Sequence, residues 1–188
     1  MDTQRLVVGI SGASGAPLAV ELLRQLRCVE GLEVHLVCSR WGLATVQHET
    51  GLTAAELEEL CYKLYSNEDC GSPPASGSFQ TLGMAVVPCS MKTLAGIVTG
   101  YSDSLLLRAA DVTLKERRRL VLVPRECPLS TLHLRNLCTA SELGATILPP
   151  VPAYYEHPET IQDIDRHLAA KILQQFGLPG GLREWEGL

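Results

Sequence analysis

The sequence predicts an α/β protein built on a single, mostly parallel sheet with helices on both faces, which gives three layers. Short apolar runs alternate with longer amphipathic stretches, the pattern of parallel strands joined by crossover helices. The chain has 188 residues, enough for one well-packed domain and too few for two full ones. Apolar residues make up 46% and charged residues 20%, which is typical of a globular protein. We expect one domain over 1–178 and a C-terminal tail over 179–188.

Five short apolar runs are the candidate strands, at 6–10, 34–37, 84–87, 120–123 and 145–148. Seven amphipathic stretches are the candidate helices, at 17–28, 40–49, 53–62, 91–98, 103–118, 130–143 and 159–176. The stretch 66–78 is rich in glycine, proline and serine and predicts a long loop. Such a loop is either functional or a surface excursion.

Charge and cysteine usage exclude several classes of protein. The formal net charge of -5 and the pI near 5.5 argue against a nucleic-acid surface, and the basic cluster 115–119 is interpreted as a solvated helix end. The seven cysteines contain no CxxC pair and no histidine stands at metal-ligand spacing, so neither a disulfide scaffold nor a metal site is predicted. We interpret the cysteines as reduced thiols of a cytoplasmic protein without an export signal or membrane anchor.

The first predicted strand runs into the glycine-rich segment GISGASGAP at 9–17, where a helical pattern begins. Glycines allow a tight turn, and the unpaired amides and positive dipole end of a helix attract a phosphate. Pro17 suits the first helical turn, and the hydroxyls of Ser11 and Ser14 add donors. The glycine order is neither GxGxxG nor that of a Walker loop. The segment predicts either an anion site or a tight turn that binds nothing.

Polar residues also follow the later strands, and the carboxyl ends of parallel strands meet at one edge of a sheet. Ser39 follows the second strand and Ser90 with Lys92 follows the third, so these residues can face one crevice. The alternative for each serine is ordinary N-capping. After the fourth strand, Arg125 and Glu126 stand between two prolines, which suits phosphate recognition and proton transfer. The alternative there is a surface ion pair.

The last part of the chain offers two further candidates. The proline-rich segment 149–155 ends in two tyrosines and either presses an aromatic ring against a ligand or only links to the last helix. The tail carries Trp185, which we expect to be either disordered or docked on a neighbouring subunit.

Six motifs occur in order along nearly the whole chain: GISGASG at 9–15, ASGSF at 75–79, PCSMKTL at 88–94, RAADVTLKER at 108–117, LVPRE at 122–126 and PAYY at 152–155. Together they resemble the UbiX-type flavin prenyltransferases, and most closely the branch of that family associated with phenolic acid decarboxylases. The resemblance implies a flavodoxin-like or Rossmann-like sheet whose chains form a homododecamer. It also implies that FMN and dimethylallyl monophosphate bind at subunit interfaces.

The reaction is implied by the same resemblance. The dimethylallyl group is transferred to N5 of reduced FMN, and a fourth ring then closes through C6. The product, prenylated FMN, serves a separate UbiD-type decarboxylase. Because charge develops on the leaving phosphate, cations and hydrogen-bond donors are expected around it.

The motifs also assign residues by resemblance. The FMN-binding positions are Gly12, Ala13, Ser14, Ser39, Cys89, Ser90, Met91, Lys92 and Arg125. The positions around the dimethylallyl phosphate and the reaction centre are Glu49, Lys115, Arg125, Glu126 and Tyr155. Glu126 is expected to handle protons at the leaving phosphate, and Ser14 with Glu49 is expected to serve the flavin during ring closure. One departure is Lys171, which stands where the family has arginine and alters the phosphate clamp.

Two alternatives to this activity remain open at the level of sequence. Related flavoprotein decarboxylases that oxidise cysteine residues carry PASAN where this chain has PASGS at 74–78, and they lack the Pro-Arg-Glu segment. The other alternative is a carrier that only stores or delivers FMN. The two carboxylates Glu49 and Glu126 argue against a carrier, because they would repel a phosphate dianion without serving its binding.

Overall fold

The computed structural model describes residues 3–182 and residue 187. Within them the sheet has six parallel strands in the order β3-β2-β1-β4-β5-β6. The strands are β1 Gln4–Ile10, β2 Leu32–Cys38, β3 Lys63–Ser66, β4 Gly83–Cys89, β5 Arg119–Pro124 and β6 Thr146–Ile147. The α/β fold with one parallel sheet is therefore confirmed.

The helices cover both faces of this sheet. They are α1 Ala16–Arg27, α2 Arg40–Thr50, α3 Ala54–Glu58, α4 Met91–Thr99, α5 Leu105–Lys115, α6 Thr131–Glu142 and α7 Ile161–Gln175, with 3₁₀ turns at Pro73–Ala75 and Tyr154–Glu156. Strand residues alternate between two cores, since Leu6 and Val8 pack with α1 and α7 while Val7 packs with α4 and α5. This period of two, on strands buried on both sides, produces the three predicted layers.

The region between β2 and β4 differs from the prediction. The helix expected over 53–62 ends at Glu58, and a strand that was not predicted follows it at Lys63–Ser66. This strand lies at the edge of the sheet and buries only Tyr65, so it lacks the apolar run that marks the other strands. The predicted loop 66–78 contains the 3₁₀ turn at Pro73–Ala75.

The C-terminal end bears on two expectations. The tail residue Trp185, expected to be disordered or docked on a neighbouring subunit, lies outside the described residues. The domain boundary at 178 stays a prediction.

Among the helices formed by residues 3–182, none combines the length and apolar character that crossing a membrane requires.

Candidate active site

The crevice lies at the carboxyl edge of the sheet, where the strand order changes direction. β1 pairs with β2 on one side and with β4 on the other, so the loops after these strands diverge and leave a gap. Ser11 ties the loops after β1 and β4 together, because its hydroxyl donates to the Pro88 carbonyl at 2.7 Å and accepts from the Ser90 amide at 2.8 Å. Ser11 is 1% exposed, so the hydroxyl predicted as a ligand donor is used within the fold.

Glu49 occupies the start of α1. The amides of Gly15 and Ala16 each donate to its Oε2 at 2.9 Å. Gly15 makes this geometry possible because it adopts φ 116°, a left-handed conformation in which a side chain is strained. The structure therefore places the Glu49 carboxylate on this helix N-terminus, where the sequence left open an anion site or a tight turn that binds nothing.

The environment keeps Glu49 ionised. Burial of the carboxylate acts to raise its pKa, but hydrogen bonds from the Ser14 hydroxyl and from the two amides outweigh burial. The positive charge of Arg125 acts in the same direction, and the pKa of Glu49 falls below its ordinary value of 4.5. A half-buried carboxylate that stays charged beside a hydroxyl is suited to accept a proton through that hydroxyl.

A second anion-binding region lies between the N-termini of α2 and α4. Ser39 caps α2 by accepting from the Gly42 amide at 3.0 Å, and Ser90 caps α4 by accepting from the Thr93 amide at 3.3 Å. Both caps line one open cleft of about 330 Å³. Its lining also includes Gly12, Arg40, Trp41, Asn67, Lys92 and Ser104. Two helix N-termini, two hydroxyls and two exposed cations meet here beside the carboxylate of Glu68, and the helix N-termini and cations suit a phosphate.

Trp41 is a site residue that sequence reasoning missed. It is 71% exposed and lines the same cleft. An ideal Cβ on Gly12 would lie 2.5 Å from the Trp41 Cβ, so the glycine is required for this close approach. The signal available in the sequence was a large aromatic residue two positions after Ser39, at the first turn of α2. A flat exposed ring beside a phosphate site suits a ligand that is itself aromatic.

The side chains of two predicted FMN-binding residues point away from the crevice. Cys89 is fully buried in the core between the sheet, α4 and α5, and burial raises the pKa of its thiol to about 12. Met91 is partly buried and packs against the same core. Near the crevice these residues therefore offer their backbone rather than their side chains.

Arg125 and Glu126 follow β5 at the same edge, and both are exposed. The Arg125 amide donates to the Cys89 carbonyl at 3.2 Å, which anchors the segment to the end of β4. The Cys127 amide donates to Glu126 Oε1 at 3.1 Å. The positive charge of the Arg125 guanidinium lowers the pKa of Glu49, so the predicted cation and the predicted carboxylate interact within one site.

Lys115 lies at the opposite edge of the sheet. It ends α5, and the chain then enters β5 at Arg119, which pairs with Gly83 at the amino end of β4. Its Nζ forms an ion pair with Glu116. The six residues of β5 separate the two edges by roughly 20 Å at a rise of about 3.3 Å per residue. Within one copy of the chain, Lys115 does not reach the crevice.

Tyr155 and Lys171 are connected through α7. The Tyr155 ring meets His167 edge to face, with centroids 6.4 Å apart. Lys171 follows His167 by one helical turn, and its Nζ donates to Gln174 Oε1 at 3.4 Å. The start of α7 reaches Glu49, since Ile161 lines a pocket with it. Lys171 lies roughly 15 Å further along, at about 1.5 Å per residue.

Metal ligands do not come together in the described part of the chain. There, no three His, Cys, Asp or Glu side chains converge as a metal site would require.

Comparison with known proteins assigns the chain and its fold to a family. The family model described as "Flavoprotein" matches residues 1–172. A UbiX-like flavin prenyltransferase from a Streptomyces species is 55% identical over 98% of this chain and 92% of its own length. The crystal structure of a dodecameric FMN-dependent UbiX-like decarboxylase from Escherichia coli has a TM-score of 0.95 and 51% identity, covering 98% of this chain and 100% of its own. AnUbiX, crystallised with FMN and dimethylallyl pyrophosphate, has a TM-score of 0.95 and 45% identity, with 98% of each chain covered.

Proposed function

The chain belongs to the flavoprotein family, among the UbiX-like flavin prenyltransferases, and we propose that it transfers the dimethylallyl group of dimethylallyl monophosphate to reduced FMN. The flavin would be alkylated at N5 and closed through C6 into a fourth ring. The observation that carries the proposal is the ionised Glu49, bonded to the start of α1 and to the Ser14 hydroxyl in a crevice with a separate phosphate site.

The cleft between α2 and α4 suits the FMN phosphate. Ser39 and Ser90 lie at two helix N-termini, and Lys92 supplies a cation. Trp41 offers a face for an aromatic ring, and the backbone at 12–13 leads from this cleft towards Ser14. FMN would be a substrate of this reaction, and the chemistry it supplies is nucleophilic attack by N5 and C6.

Ser14 and Glu49 would serve ring closure. When C6 forms its new bond, it must release a proton, and the Ser14 hydroxyl can pass that proton to the ionised Glu49. The amides of Gly15 and Ala16 hold Glu49 in place through both protonation states. A carrier that only stored FMN would have no use for such a base.

Arg125 and Glu126 would act at the leaving phosphate. The Arg125 guanidinium offers a planar fork for phosphate oxygens, and its anchored backbone limits how far it can move. Glu126 stands next to it and can exchange a proton with the phosphate that departs. Both residues are exposed on one copy of the chain, so a second copy is needed to exclude water from this step.

Assembly would complete the site. We propose a homo-oligomer, and in its finer form a dodecamer as in the Escherichia coli relative. The position of Lys115 at the amino edge supports this, because another copy must supply it to the crevice. Tyr155 and Lys171 would join the dimethylallyl phosphate clamp at the same subunit boundary. The exposed apolar residues of α6, which include Leu132 and Leu134, offer a surface for such contacts.

The cellular setting and the domain limits extend the proposal. The product would be handed to a UbiD-type decarboxylase, the enzyme would work in the cytoplasm, and residues 1–178 would form the flavin-binding domain with 179–188 as its tail. Solvent-exposed, unpaired cysteines support a reducing environment.

The test is anaerobic incubation with reduced FMN and either dimethylallyl monophosphate or the diphosphate. We expect a flavin heavier by one five-carbon unit, with inorganic phosphate released from the monophosphate or pyrophosphate released from the diphosphate. FMN binding without a gain in the mass of the flavin, and without any other turnover, would support only the function of an FMN carrier. Release of carbon dioxide from a peptide or pantothenate-type cysteine, with no change in the flavin's mass, would instead support a cysteine decarboxylase.

A further inference from the structure

Glu49 and Ser14 line an open pocket beside the start of α7. It has a volume of about 410 Å³ and is lined by Ser14, Gly15, Pro17, Leu18, His48, Glu49, Ile161 and Asp165. The proposed proton acceptor Glu49 therefore shares this pocket with Asp165. The pocket has room for several waters, since each needs about 30 Å³.

Asp165 is the second carboxylate of the pocket and has no assigned role. It lies in the first turns of α7 and is half-buried. Within residues 3–182 and 187 it makes no hydrogen bond or ion pair, whereas the neighbouring Asp163 caps Thr160 and pairs with Arg166. A half-buried carboxylate that has no such partner among the described residues and faces an open pocket is available to exchange protons with water.

We propose that Asp165 receives the proton that Glu49 collects during ring closure, through water in this pocket, and passes it to the solvent. The inference rests on the proposed function. Asp165 is not assigned to either substrate, and it acts by keeping Glu49 ionised while C6 gives up its proton.

The balance of the step is simple. C6 adds to the prenyl double bond, whose π bond breaks as the neighbouring carbon takes up a proton from the released phosphate. The electron pair of the C6–H bond returns to the ring, and the C6 proton moves through Ser14 to Glu49. Glu49 passes that proton on as ring closure proceeds. Water carries it to Asp165 and then to bulk solvent, so no oxidant, reductant or further reactant is required.

The charges around the pocket give this transfer a direction. Burial raises the pKa of Asp165, and the neighbouring charge of Glu21 on α1 raises it further. The pKa of Glu49 is lowered, so both shifts favour movement of a proton from Glu49 towards Asp165. From α2 the titratable groups that line the pocket are His48 and Glu49, and from α1 the charged neighbour is Glu21.

The test is a single-turnover reaction of Asp165→Asn with reduced FMN and dimethylallyl monophosphate, followed by absorbance. We expect normal alkylation and a ring-closure phase slowed by roughly 10 to 100-fold, at or below the usual range for general acid-base catalysis because bulk water can still accept the proton. Imidazole buffer should restore part of the rate. Glu30→Gln, which removes an exposed carboxylate between α1 and β2, is the matched control and should behave as the wild type.

A second variant keeps the relay and moves its pH dependence. Glu21→Gln removes the like charge and lowers the pKa of Asp165, so the acid limb of the closure rate should shift to lower pH. Closure in Asp165→Asn at the wild-type rate, no rescue by imidazole, or a raised KM for the donor with closure unchanged would each overturn the inference. A wild-type enzyme that yields no heavier flavin would instead remove the proposed function itself.

Discussion

Charged side chains at the two edges of the sheet differ in whether they have partners within the fold. At the amino edge, Arg118 donates to the carbonyls of Gly77 and Phe79, and Arg5 pairs with Glu33. Both arginines at this edge therefore have hydrogen-bond or ion-pair partners within the fold. At the carboxyl edge, Arg125 and Glu126 are exposed, and neither forms an ion pair within the described residues.

The difference separates residues that hold the fold from residues that are free to meet a ligand. Charged groups paired with one another add modestly to stability, whereas groups left open at a strand end cost little and can act on a substrate. Lys115 is the exception, since it is a predicted substrate ligand on the amino edge. Substitutions at each edge can therefore test the division between them.

The largest effect is expected at the carboxyl edge. Glu126→Gln should slow prenyl transfer by about 100 to 10,000-fold, because the amide cannot exchange a proton with the leaving phosphate. FMN should still bind, since its phosphate is assigned to the cleft between α2 and α4. Single-turnover rates and a separate FMN titration measure the two effects. Turnover at the wild-type rate would show that the role assigned to Glu126 is wrong.

The next prediction asks whether the amino edge of one copy serves another. Lys115→Met should lower the rate by roughly 10 to 150-fold, the cost of one charge-assisted contact of about 1.5 to 3 kcal/mol. Glu49→Gln should also impair the enzyme. Mixed oligomers of the two variants should recover activity, because some sites then combine intact Glu49 with intact Lys115. Lys63→Met, which removes a different exposed lysine, is the control. Mixtures no more active than their parents would contradict a shared site.

Lys171 gives a smaller expected effect. A lysine offers a flexible point charge where an arginine offers a planar fork. Lys171→Met should raise the KM for dimethylallyl phosphate by roughly 10 to 100-fold, whereas Lys171→Arg should lower it modestly. FMN affinity should stay the same in both. Loss of FMN binding, or an unchanged KM, would mean that α7 does not reach the substrate phosphate.

The local sequence pattern was enough to predict most of the fold. The buried strands are continuous apolar runs that are visible in the sequence, and the serines at 39 and 90 were correctly offered as helix caps. The edge strand at Lys63–Ser66 was missed because it buries only one residue and has no apolar run.

The site was less accessible to sequence reasoning because it depends on contacts between distant residues. The hydrogen bond between Glu49 and the Gly15 amide at the start of α1 joins positions 34 residues apart. Nothing in the sequence of the turn at 9–17 reveals that a carboxylate binds its amides. The place of Lys115 follows from the direction of α5, which a motif does not encode. The family motifs supplied residue types, and the topology decided which edge each one occupies.

The smallest effect concerns a buried histidine in the middle of β2 and the pH dependence of stability. His35 is 3% exposed, with Nδ1 2.9 Å from the Tyr65 hydroxyl, and its Nε2 is buried without a hydrogen bond, 3.6 Å from Glu33 Oε2. Burial lowers the pKa of His35 below 6.5, and Glu33 only partly opposes this. The folded chain therefore keeps His35 neutral at a pH where the unfolded chain already binds a proton.

Stability from this site should be complete above the unfolded pKa of about 6.5 and should be lost as the pH falls towards the lowered folded value. One proton contributes a slope of at most about 1.4 kcal/mol per pH unit. Urea unfolding from about pH 7 to about pH 5, at fixed protein concentration, should show a shallower slope for His35→Gln than for the wild type. His157→Asn is the matched control, because His157 is exposed and asparagine tolerates its left-handed φ of 49°. Equal slopes in the wild type and His35→Gln would show that the folded chain does not hold His35 neutral.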